Sequence, residues 1–462
     1  MVSKNLIEFF SEQIVSEFAD STIYQFKHIP AIAVILKNSE LALQLRNLPW
    51  IDYVASGSGL VTPDAITTNC SSISSPQTIP WNITKVGAHD AWSVATGNDA
   101  PGRLVVLDNG ADEDNGWHDI ELNWEAQTFY VPSSSIDGSH GTPVLGAAQA
   151  HDNSYGTVGV APEAIARVMK IYDSSTSNSE DTNWETHSAI AIDDNATSAS
   201  VMTISYSTKT TSSDPPATFV GLNDAITNAY YQHDVVFTAS TGNQERSDYY
   251  AFPANFDEVI GVGGSDKNDQ YILNNYAPGN VEVAAPAVDV LTVCKGGDIG
   301  SYTGTSFSTP MVAGAVMLLR DQNPNWTNDQ VRQQLQNTAV SMTDIQKSGA
   351  GRINVASALG ILKVSISGAT YRESGQEGTW TAHAEYGTGS YSYQWFYRNS
   401  SSDTWTQAGS DSDTFTWTFN NNSNAIENRY IKVDVTSGSQ QKSSELTVTI
   451  APEECDPKEI MC

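Results

Sequence analysis

Residues 304–314 read Gly304-Thr-Ser-Phe-Ser-Thr-Pro-Met-Val-Ala-Gly314, and an apolar run continues to Leu319. Proline is tolerated only in the first turn of a helix, so Pro310 predicts that a helix begins close to it. The run that follows is apolar on all sides, which is typical of a buried helix. Ser306 would then lie at the positive end of a helix dipole, where developing negative charge is stabilised. Taken alone, Ser306 could equally be a cap on a core helix.

The segment around this helix has the pattern of an α/β domain. Short apolar runs alternate with helical stretches, including one predicted over Thr218–His233. Such alternation predicts crossover connections and a parallel sheet. The predicted strands are Arg103–Leu107, Arg167–Ile171, Val201–Ile204, Val235–Thr238 and Val259–Val262.

Three further polar residues lie at turns of this domain. Asp108 follows a predicted strand and precedes Asn109-Gly110, His140 opens a Gly-containing turn, and Asn243 follows Gly242 after another strand. Together with Ser306, Asp108 and His140 supply the nucleophile, base and orienting carboxylate that a catalytic triad needs. Asn243 could donate its amide to an oxyanion. Each residue considered singly could instead be a turn former, a cap or a structural histidine.

The composition narrows the class of protein. The 462 residues carry 23 basic and 53 acidic side chains, a formal net charge of −30. Such a chain lacks the clustered cations that bind nucleic acid, and no apolar run reaches the ~20 residues of a membrane span. The N-terminus carries no continuous apolar signal segment. The four cysteines form no metal-binding spacing, and whether Cys455 pairs with Cys462 stays open.

Changes in composition and in the hydrophobic pattern along the chain predict five regions. The first is a small α+β unit with a strand over Ile29–Leu36 and a helix over Ser39–Leu48. After a polar linker and the α/β domain come short alternating strands, with Trp395 as a core residue, which predict a β-sandwich. The regions are 1–61, the linker 62–76, the α/β domain 77–362, the sandwich 363–451 and a tail 452–462.

The motifs occur in the order typical of subtilisin-like serine proteases, and the chain resembles that family over about 290 residues. The resemblance implies a three-layer fold with a central parallel sheet, an inhibitory propeptide before it, and an immunoglobulin- or PKD-like sandwich after it. The motifs that carry it are Asp108-Asn-Gly110, His140-Gly-Thr142, Ser205-Tyr-Ser207, Thr241-Gly-Asn243 and Gly304-Thr-Ser-Phe-Ser-Thr-Pro310.

The resemblance also implies roles for individual residues. Asp108, His140 and Ser306 would form the triad, with Asn243 in the oxyanion hole. Ser207 stands where the family usually has glycine, and the charged segment Gln244–Ala251 lies near the expected pocket for the residue before the cut. The residues implied to bind substrate are Ser205, Tyr206, Ser207, Thr241 and Gly242.

A structural calcium site is implied in the same way. The loop His151–Thr157 would supply backbone carbonyls and an amide oxygen, and two distant side chains would complete an all-oxygen set that suits Ca²⁺. The alternative is a solvated Asn/Gly turn. The implied ligands are Gln77, Asp119, His151, Asn153, Tyr155 and Thr157.

The combined hypothesis is an extracellular, calcium-stabilised serine endopeptidase that acts as a monomer on proteins and peptides. It would be made as a zymogen and would remove its own propeptide, an intramolecular inhibitor, by a cut in the linker. The main alternative is a binding protein whose sandwich recognises a cell surface or polysaccharide. Exposed aromatic residues there would favour the alternative; the candidates are Trp380, Tyr391, Tyr393, Trp405 and Trp417. An exopeptidase is a third hypothesis.

Overall fold

The computed structural model divides into two compact units, Met1–Ala358 and Leu359–Cys462. Among the residues it describes, no helix is both long and apolar enough to cross a membrane. The described residues are 19–29, 31–37, 41–46, 48, 51, 62–63, 66–71, 77–112, 127–129, 138–172, 184–215, 219–243, 249–271, 281–343, 348–387 and 390–452.

The first unit alternates strands and helices. Its strands are β1 (Ala19–Gln25), β2 (Ile32–Leu36), β3 (Thr62–Pro63), β4 (Ile66–Ser71), β5 (Arg103–Asp108), β6 (Gln127–Phe129), β7 (Ala166–Lys170), β8 (Ala199–Ile204), β9 (Tyr206–Thr210), β10 (Val236–Ser240), β11 (Tyr250–Phe252), β12 (Val259–Ser265), β13 (Val283–Pro286), β14 (Val290–Val293) and β15 (Ile299–Thr303). Its helices are α1 (Leu41–Arg46), α2 (Trp81–Lys85), α3 (Ala88–Ala91), α4 (Gly141–Gln149), α5 (Trp184–Asn195), α6 (Val220–His233), α7 (Thr305–Gln322), α8 (Asn328–Asn337) and α9 (Val355–Ala358).

Seven strands form one sheet in the order β13-β12-β10-β8-β5-β7-β6. All neighbours run parallel, as the alternation of strands and helices predicts. The central strands are buried along their length, which explains their continuous apolar sequences. Helix α4 contacts α7, α5 contacts α6, and both pairs contact the sheet. The predicted α/β fold with a central parallel sheet flanked by helices is confirmed.

Helix α7 begins earlier than the sequence predicts. It starts at Thr305, so Pro310 lies inside the helix and Ser306 is its second residue. Proline has no N–H, so the carbonyl of Ser306, four residues before it, loses its usual helical donor. The Ser205 hydroxyl replaces that donor at 2.9 Å. This substitute bond allows the helix to continue through Pro310 and ties its first turn to the end of β8.

Two small antiparallel sheets each contain a strand that adjoins the Ser306 region: β15 ends at Thr303, just before α7, and β9 follows Ser205, which contacts Ser306. Their strand orders are β11-β9-β3 and β14-β15-β4. Strands β3 and β4 come from the stretch 62–76, which the sequence predicts as a linker because it has little to bury. Strand pairing needs only backbone donors and acceptors, so a polar stretch can form strands where a paired edge is available. Cys70 in β4 forms a disulfide with Cys294.

The N-terminal segment forms the antiparallel hairpin β1–β2, followed by α1. Strand β2 covers only Ile32–Leu36 of the predicted strand. Ile29 precedes it and is buried in the hydrophobic core of the first unit, together with residues of α5 and α6. The hairpin is therefore anchored on these two helices by an apolar side chain.

The second unit is built from strands alone among its described residues 359–387 and 390–452. Its two sheets have the orders β16-β18-β21 and β17-β23-β22-β19-β20, consistent with a sandwich. Trp395 is fully buried and stacks on Phe415 with a ring separation of 5.2 Å. The strands are β16 (Lys363–Gly368), β17 (Tyr371–Glu373), β18 (Glu377–Glu385), β19 (Tyr391–Arg398), β20 (Thr406–Ala408), β21 (Thr414–Thr418), β22 (Glu427–Ser437) and β23 (Gln440–Ala451).

Candidate active site

Asp108 ends β5, a central strand of the parallel sheet, and its side chain is fully buried. A buried carboxylate is stable only when donors satisfy it. The His140 ring nitrogen Nδ1 lies 2.9 Å from Asp108 Oδ1 and 3.0 Å from Oδ2. The Asn109 N–H and the Tyr172 hydroxyl also donate to Oδ1, at 2.8 and 3.3 Å. These contacts hold the Asp108 carboxylate in place, facing His140.

The position of His140 is set by its two neighbours. His140 directly precedes α4, and Asn109 accepts from the Gly141 N–H at 2.9 Å while donating to Ser139 Oγ at 3.3 Å. A Cβ atom at position 141 would lie 2.0 Å from the Gly110 carbonyl oxygen. Only glycine permits this close approach, which brings His140 against the end of β5.

The pairing with Asp108 also fixes the tautomer of His140. An ionised carboxylate only accepts hydrogen bonds, so Nδ1 must carry the proton. In the neutral ring Nε2 is then the acceptor. His140 is 8% exposed, and its ring centre lies 5.9 Å from that of Phe307, the residue after Ser306. The imidazole is thus held beside the start of α7, with Nε2 as the acceptor nitrogen of the neutral ring.

Ser306 is buried in the first turn of α7. Its hydroxyl donates to the Ser205 carbonyl at 3.0 Å, while the Ser205 hydroxyl donates to the Ser306 carbonyl at 2.9 Å. This reciprocal pair holds the Ser306 backbone against the junction of β8 and β9.

Asn243 is oriented by the residue before Ser306. Its amide oxygen accepts from the Thr305 N–H at 2.8 Å and from the Thr305 hydroxyl at 3.1 Å. Because both partners donate, the oxygen must face them and the NH₂ group must face away. Gly242 supports this turn with φ of +96° and accepts from the Thr305 hydroxyl at 3.2 Å. Asn243 is thereby fixed as a donor beside Ser306.

The structure shows which backbone and side-chain groups the residues implied to bind substrate can offer. Strand β9 lies between β11 and β3, so the backbone of Tyr206 and Ser207 already pairs with Pro63 and Thr62. The Tyr206 side chain is fully buried against Trp184 at a ring separation of 4.7 Å, and burial raises its pKa well above the ordinary value. Thr241 is also buried. Tyr206 and Thr241 can therefore offer a substrate little more than backbone.

The calcium-ligand prediction is partly testable in the described residues. The Gln77 carboxamide donates to the carbonyls of His151 and Thr157, each at 3.0 Å, and accepts from the Ser154 N–H at 2.7 Å. Asn153 accepts from the Tyr155 N–H within the same loop. Asp119 lies outside the described residues. Gln77 reaches the loop in the uncut chain, so a cut before it is not needed for this contact.

Comparison with known proteins identifies the family of this chain. Residues 71–389 match the subtilase family. The chain belongs to the subtilase family. It is 30% identical to subtilisin E of Bacillus subtilis over 356 residues, 75% of this chain and 85% of that protein. It is 29% identical to an alkaline protease of Alkalihalobacillus alcalophilus over 384 residues, 77% of this chain and 91% of that protein.

A solved structure supports the fold of this subtilase. The MycP3 protease from the type VII (ESX-3) secretion system covers 68% of this chain and 98% of its own, with a TM-score of 0.54 and 22% identity. The subtilisin homologues support serine endopeptidase activity.

Sequence reasoning missed three features of the site. Tyr172 contacts Asp108 from a loop after β7 that carries no motif. The Ser205 hydroxyl replaces the donor that Pro310 lacks, a signal present in the spacing between Ser306 and proline. The Cys70–Cys294 disulfide joins residues 224 apart in sequence, and no sequence spacing reveals such a pair.

Proposed function

We propose that this subtilase is a serine endopeptidase in which Asp108, His140 and Ser306 form the catalytic triad. The observation that carries the proposal is the buried Asp108–His140 pair, with Nδ1 2.9 Å from the carboxylate, beside a serine in the first turn of a buried helix. A base, its orienting carboxylate and a nearby serine nucleophile are the three groups that acyl transfer through a triad requires.

The proposed reaction follows from these positions. Ser306 Oγ attacks the substrate carbonyl carbon, and His140 Nε2 takes the hydroxyl proton. Asp108 holds the ring and stabilises it while it is charged. His140 then gives the proton to the departing amine, and water hydrolyses the acyl-enzyme in the same way.

The negative oxygen of the intermediate would be stabilised by two donors. The Asn243 NH₂ group faces away from Thr305, and the Ser306 N–H lies at the positive end of α7. Donors fixed in advance cost little reorganisation during the reaction, which makes this type of stabilisation effective. The backbone at Ser205, Ser207 and Gly242 would bind the extended substrate.

The N-terminal segment, residues 1–61, would be an inhibitory propeptide, and the protein a zymogen that cuts the linker 62–76. Contacts with α5 support this role. Asp193 accepts from the Lys27 and His28 N–H groups at 2.6 and 3.0 Å, and Asp194 accepts from the Tyr24 hydroxyl at 2.7 Å. An extracellular location of the protein would suit the Cys70–Cys294 disulfide, since such bonds persist in oxidising compartments.

Calcium would be held by the loop around Asn153. The carbonyls of His151 and Thr157 both accept from the Gln77 NH₂ group, so they already converge on one point. Gln77 would turn its amide oxygen towards the ion, since carbonyl and amide oxygens are ligands that Ca²⁺ prefers. The side chains of Asn153 and Asp119 and the Tyr155 carbonyl would complete the set. A bound ion would supply structural cross-linking of the loop and no chemical step.

A cavity in the second unit supports a second candidate function, polysaccharide binding. Its volume is about 610 Å³, and Tyr397, Trp417, Asn420 and Glu427 are among the residues that line it. Aromatic faces with convergent polar groups suit a ligand rich in hydroxyls. Trp380 is buried, however, and the other candidate aromatics are half-buried, as a sandwich core and rim would have them. Loss of polysaccharide retention on Trp417→Ala would favour this function.

Hydrolysis of casein by purified variants tests the main proposal. Ser306→Ala and His140→Ala should abolish hydrolysis while the chain stays folded, and Asn243→Ala should retain weak activity. Hydrolysis by Ser306→Ala protein freed of host proteases would show that another group is the nucleophile.

A further inference from the structure

Two histidines meet where the N-terminal hairpin contacts the helices of the protease. His28 lies in the turn between β1 and β2, and His233 is the last residue of α6. Their ring centres are 4.8 Å apart and the ring planes cross at 72°, so the edge of one imidazole meets the face of the other. Both side chains are half-buried. Because each side of the contact supplies one ring, the pair exists only while the hairpin is bound.

The contacts that bind the hairpin also fix the position of His28. Its N–H donates to the Asp193 carboxylate at 3.0 Å, and the Asn228 amide donates to its carbonyl at 3.3 Å. The next residue, Ile29, is buried in the core beside α5 and α6. The His28 ring therefore cannot move far from His233 unless the hairpin gives up these contacts.

The carboxylates beside the pair are already engaged by other donors. Asp193 accepts from two backbone N–H groups, Asp194 accepts from the Tyr24 hydroxyl, and Asp234 pairs with Arg320 at 3.0 Å. The C-terminal end of α6 favours one positive charge on His233. The titratable and charged groups next to the pair on the hairpin, on α5 and at the end of α6 are Tyr24, Lys27, Asp193, Asp194 and Asp234.

The contact can accommodate one proton more easily than two. A charged imidazole edge against a neutral ring face is favourable, whereas a second proton places two positive charges about 4.8 Å apart. Burial and the charge on His28 lower the pKa of His233, and Asp193 acts in the opposite direction. A lowered pKa in the contact means that the separated form binds the proton more strongly. The contact is therefore strongest above the ordinary imidazole pKa of ~6.5 and weakens as the pH falls through it.

We propose that His28 and His233 make the binding of the N-terminal segment acid-sensitive, so that a fall from about pH 7.5 to about pH 5 releases the segment from α5 and α6. The inference rests on the proposed inhibitory role of this segment and adds the condition that relieves the inhibition. At this separation two unit charges repel enough in water to change an equilibrium constant about fourfold, and more where solvent is partly excluded. We therefore expect a change of about tenfold.

Hydrogen–deuterium exchange of the full Ser306→Ala chain tests the contact without any cleavage. The Lys27 and His28 amides both donate to Asp193, so their protection reports opening of the hairpin turn. Their protection factors should fall about tenfold from pH 7.5 to pH 5.0. Adding His28→Gln or His233→Gln should remove most of this fall, and adding both should remove little more.

A third histidine supplies the matched control. His89 also makes an edge-on ring contact, with Trp92 at 5.4 Å, but on α3. Adding His89→Gln should leave the full response to pH. An equal fall in protection in the parent chain and in both single His→Gln proteins of the hairpin contact would overturn the proposal. Loss of the response on His89→Gln would also overturn it, because the titrating group would then lie elsewhere.

Active-site titration of the processed wild type tests the release itself. The complex would be held at pH 5.0 or pH 7.5 and then mixed with a chromogenic ester at pH 7.5, so that His140 is in the same state in both measurements. Acid exposure should increase the number of free sites in the first burst, and His233→Gln should give equal numbers after both treatments. A pH-dependent protection factor with an unchanged number of sites would overturn the inhibitory role of the segment, whereas pH-independent protection would overturn the histidine pair.

Discussion

Asp193→Asn should weaken the hold of the N-terminal segment on the protease more than any exposed change nearby. Asp193 is 2% exposed and accepts from the backbone N–H groups of Lys27 and His28 at 2.6 and 3.0 Å. An asparagine keeps one acceptor oxygen and turns an NH₂ group towards the other donor. At least one charge-assisted bond is lost, a cost of about 1.5–3 kcal/mol. The dissociation constant should therefore rise about 10- to 150-fold.

The assay uses the processed complex as it forms. Dilution releases the N-terminal segment, and titration with a chromogenic ester counts the free active sites at each concentration. Asp194→Asn is the matched control. An asparagine there keeps an amide oxygen that can still accept from the Tyr24 hydroxyl, and it loses the ion pair with Lys27, which is solvent-exposed on the lysine side. Such pairs contribute about 0–1 kcal/mol, so the dissociation constant should change less than about fivefold. Equal effects of the two substitutions, or a change below twofold for Asp193→Asn, would refute the reasoning.

Three further outcomes follow from the same contacts. Burial and the bond to Asp194 raise the pKa of Tyr24 above its ordinary value of 10.0 in the complex. Because the free segment ionises first, the affinity of the N-terminal segment for the protease should fall about tenfold per pH unit above about pH 10, and Tyr24→Phe should remove that slope in the dilution assay. Millimolar Ca²⁺ should raise the melting temperature of the Ser306→Ala protein over EDTA by about 5–10 °C, the shift expected from ~2.7 kcal/mol, and adding Gln77→Ala should abolish the difference; coincident curves for the protein that carries Ser306→Ala alone would mean that no such site exists. Tyr172→Phe should lower kcat about fivefold with KM unchanged, because one ~1 kcal/mol bond to Asp108 is lost, and an unchanged kcat would show that this bond plays no part.

The parallel sheet was predictable because its strands are buried on both sides and read as apolar runs. Four of the five predicted strands agree with the structure to within about two residues at each end, the difference expected where strand ends fray. The positions of Asp108, His140 and Asn243 at element boundaries could also be predicted, since each follows a strand or precedes a helix close to a glycine; their catalytic roles stay a prediction. The residues next to each position in the sequence are enough to predict such a boundary.

Features that depend on partners distant in sequence were not predictable. The strands β3 and β4 have polar sequences, and only the available edges of β9 and β15 make them strands. The start of α7 before Pro310 depends on a hydroxyl from Ser205, about a hundred residues earlier. Such compensation across the fold leaves no periodic signal, so composition and spacing assign the wrong boundary.

Covalent labelling tests the central claim most directly. The processed enzyme would be treated with a phosphonyl fluoride, and the label located by peptide mass mapping alongside residual casein hydrolysis. The account predicts one label per chain, on Ser306, with hydrolysis lost in proportion to labelling and no label on His140→Ala protein at the same exposure. A label on another residue with hydrolysis lost, or full hydrolysis with Ser306 labelled, would contradict it.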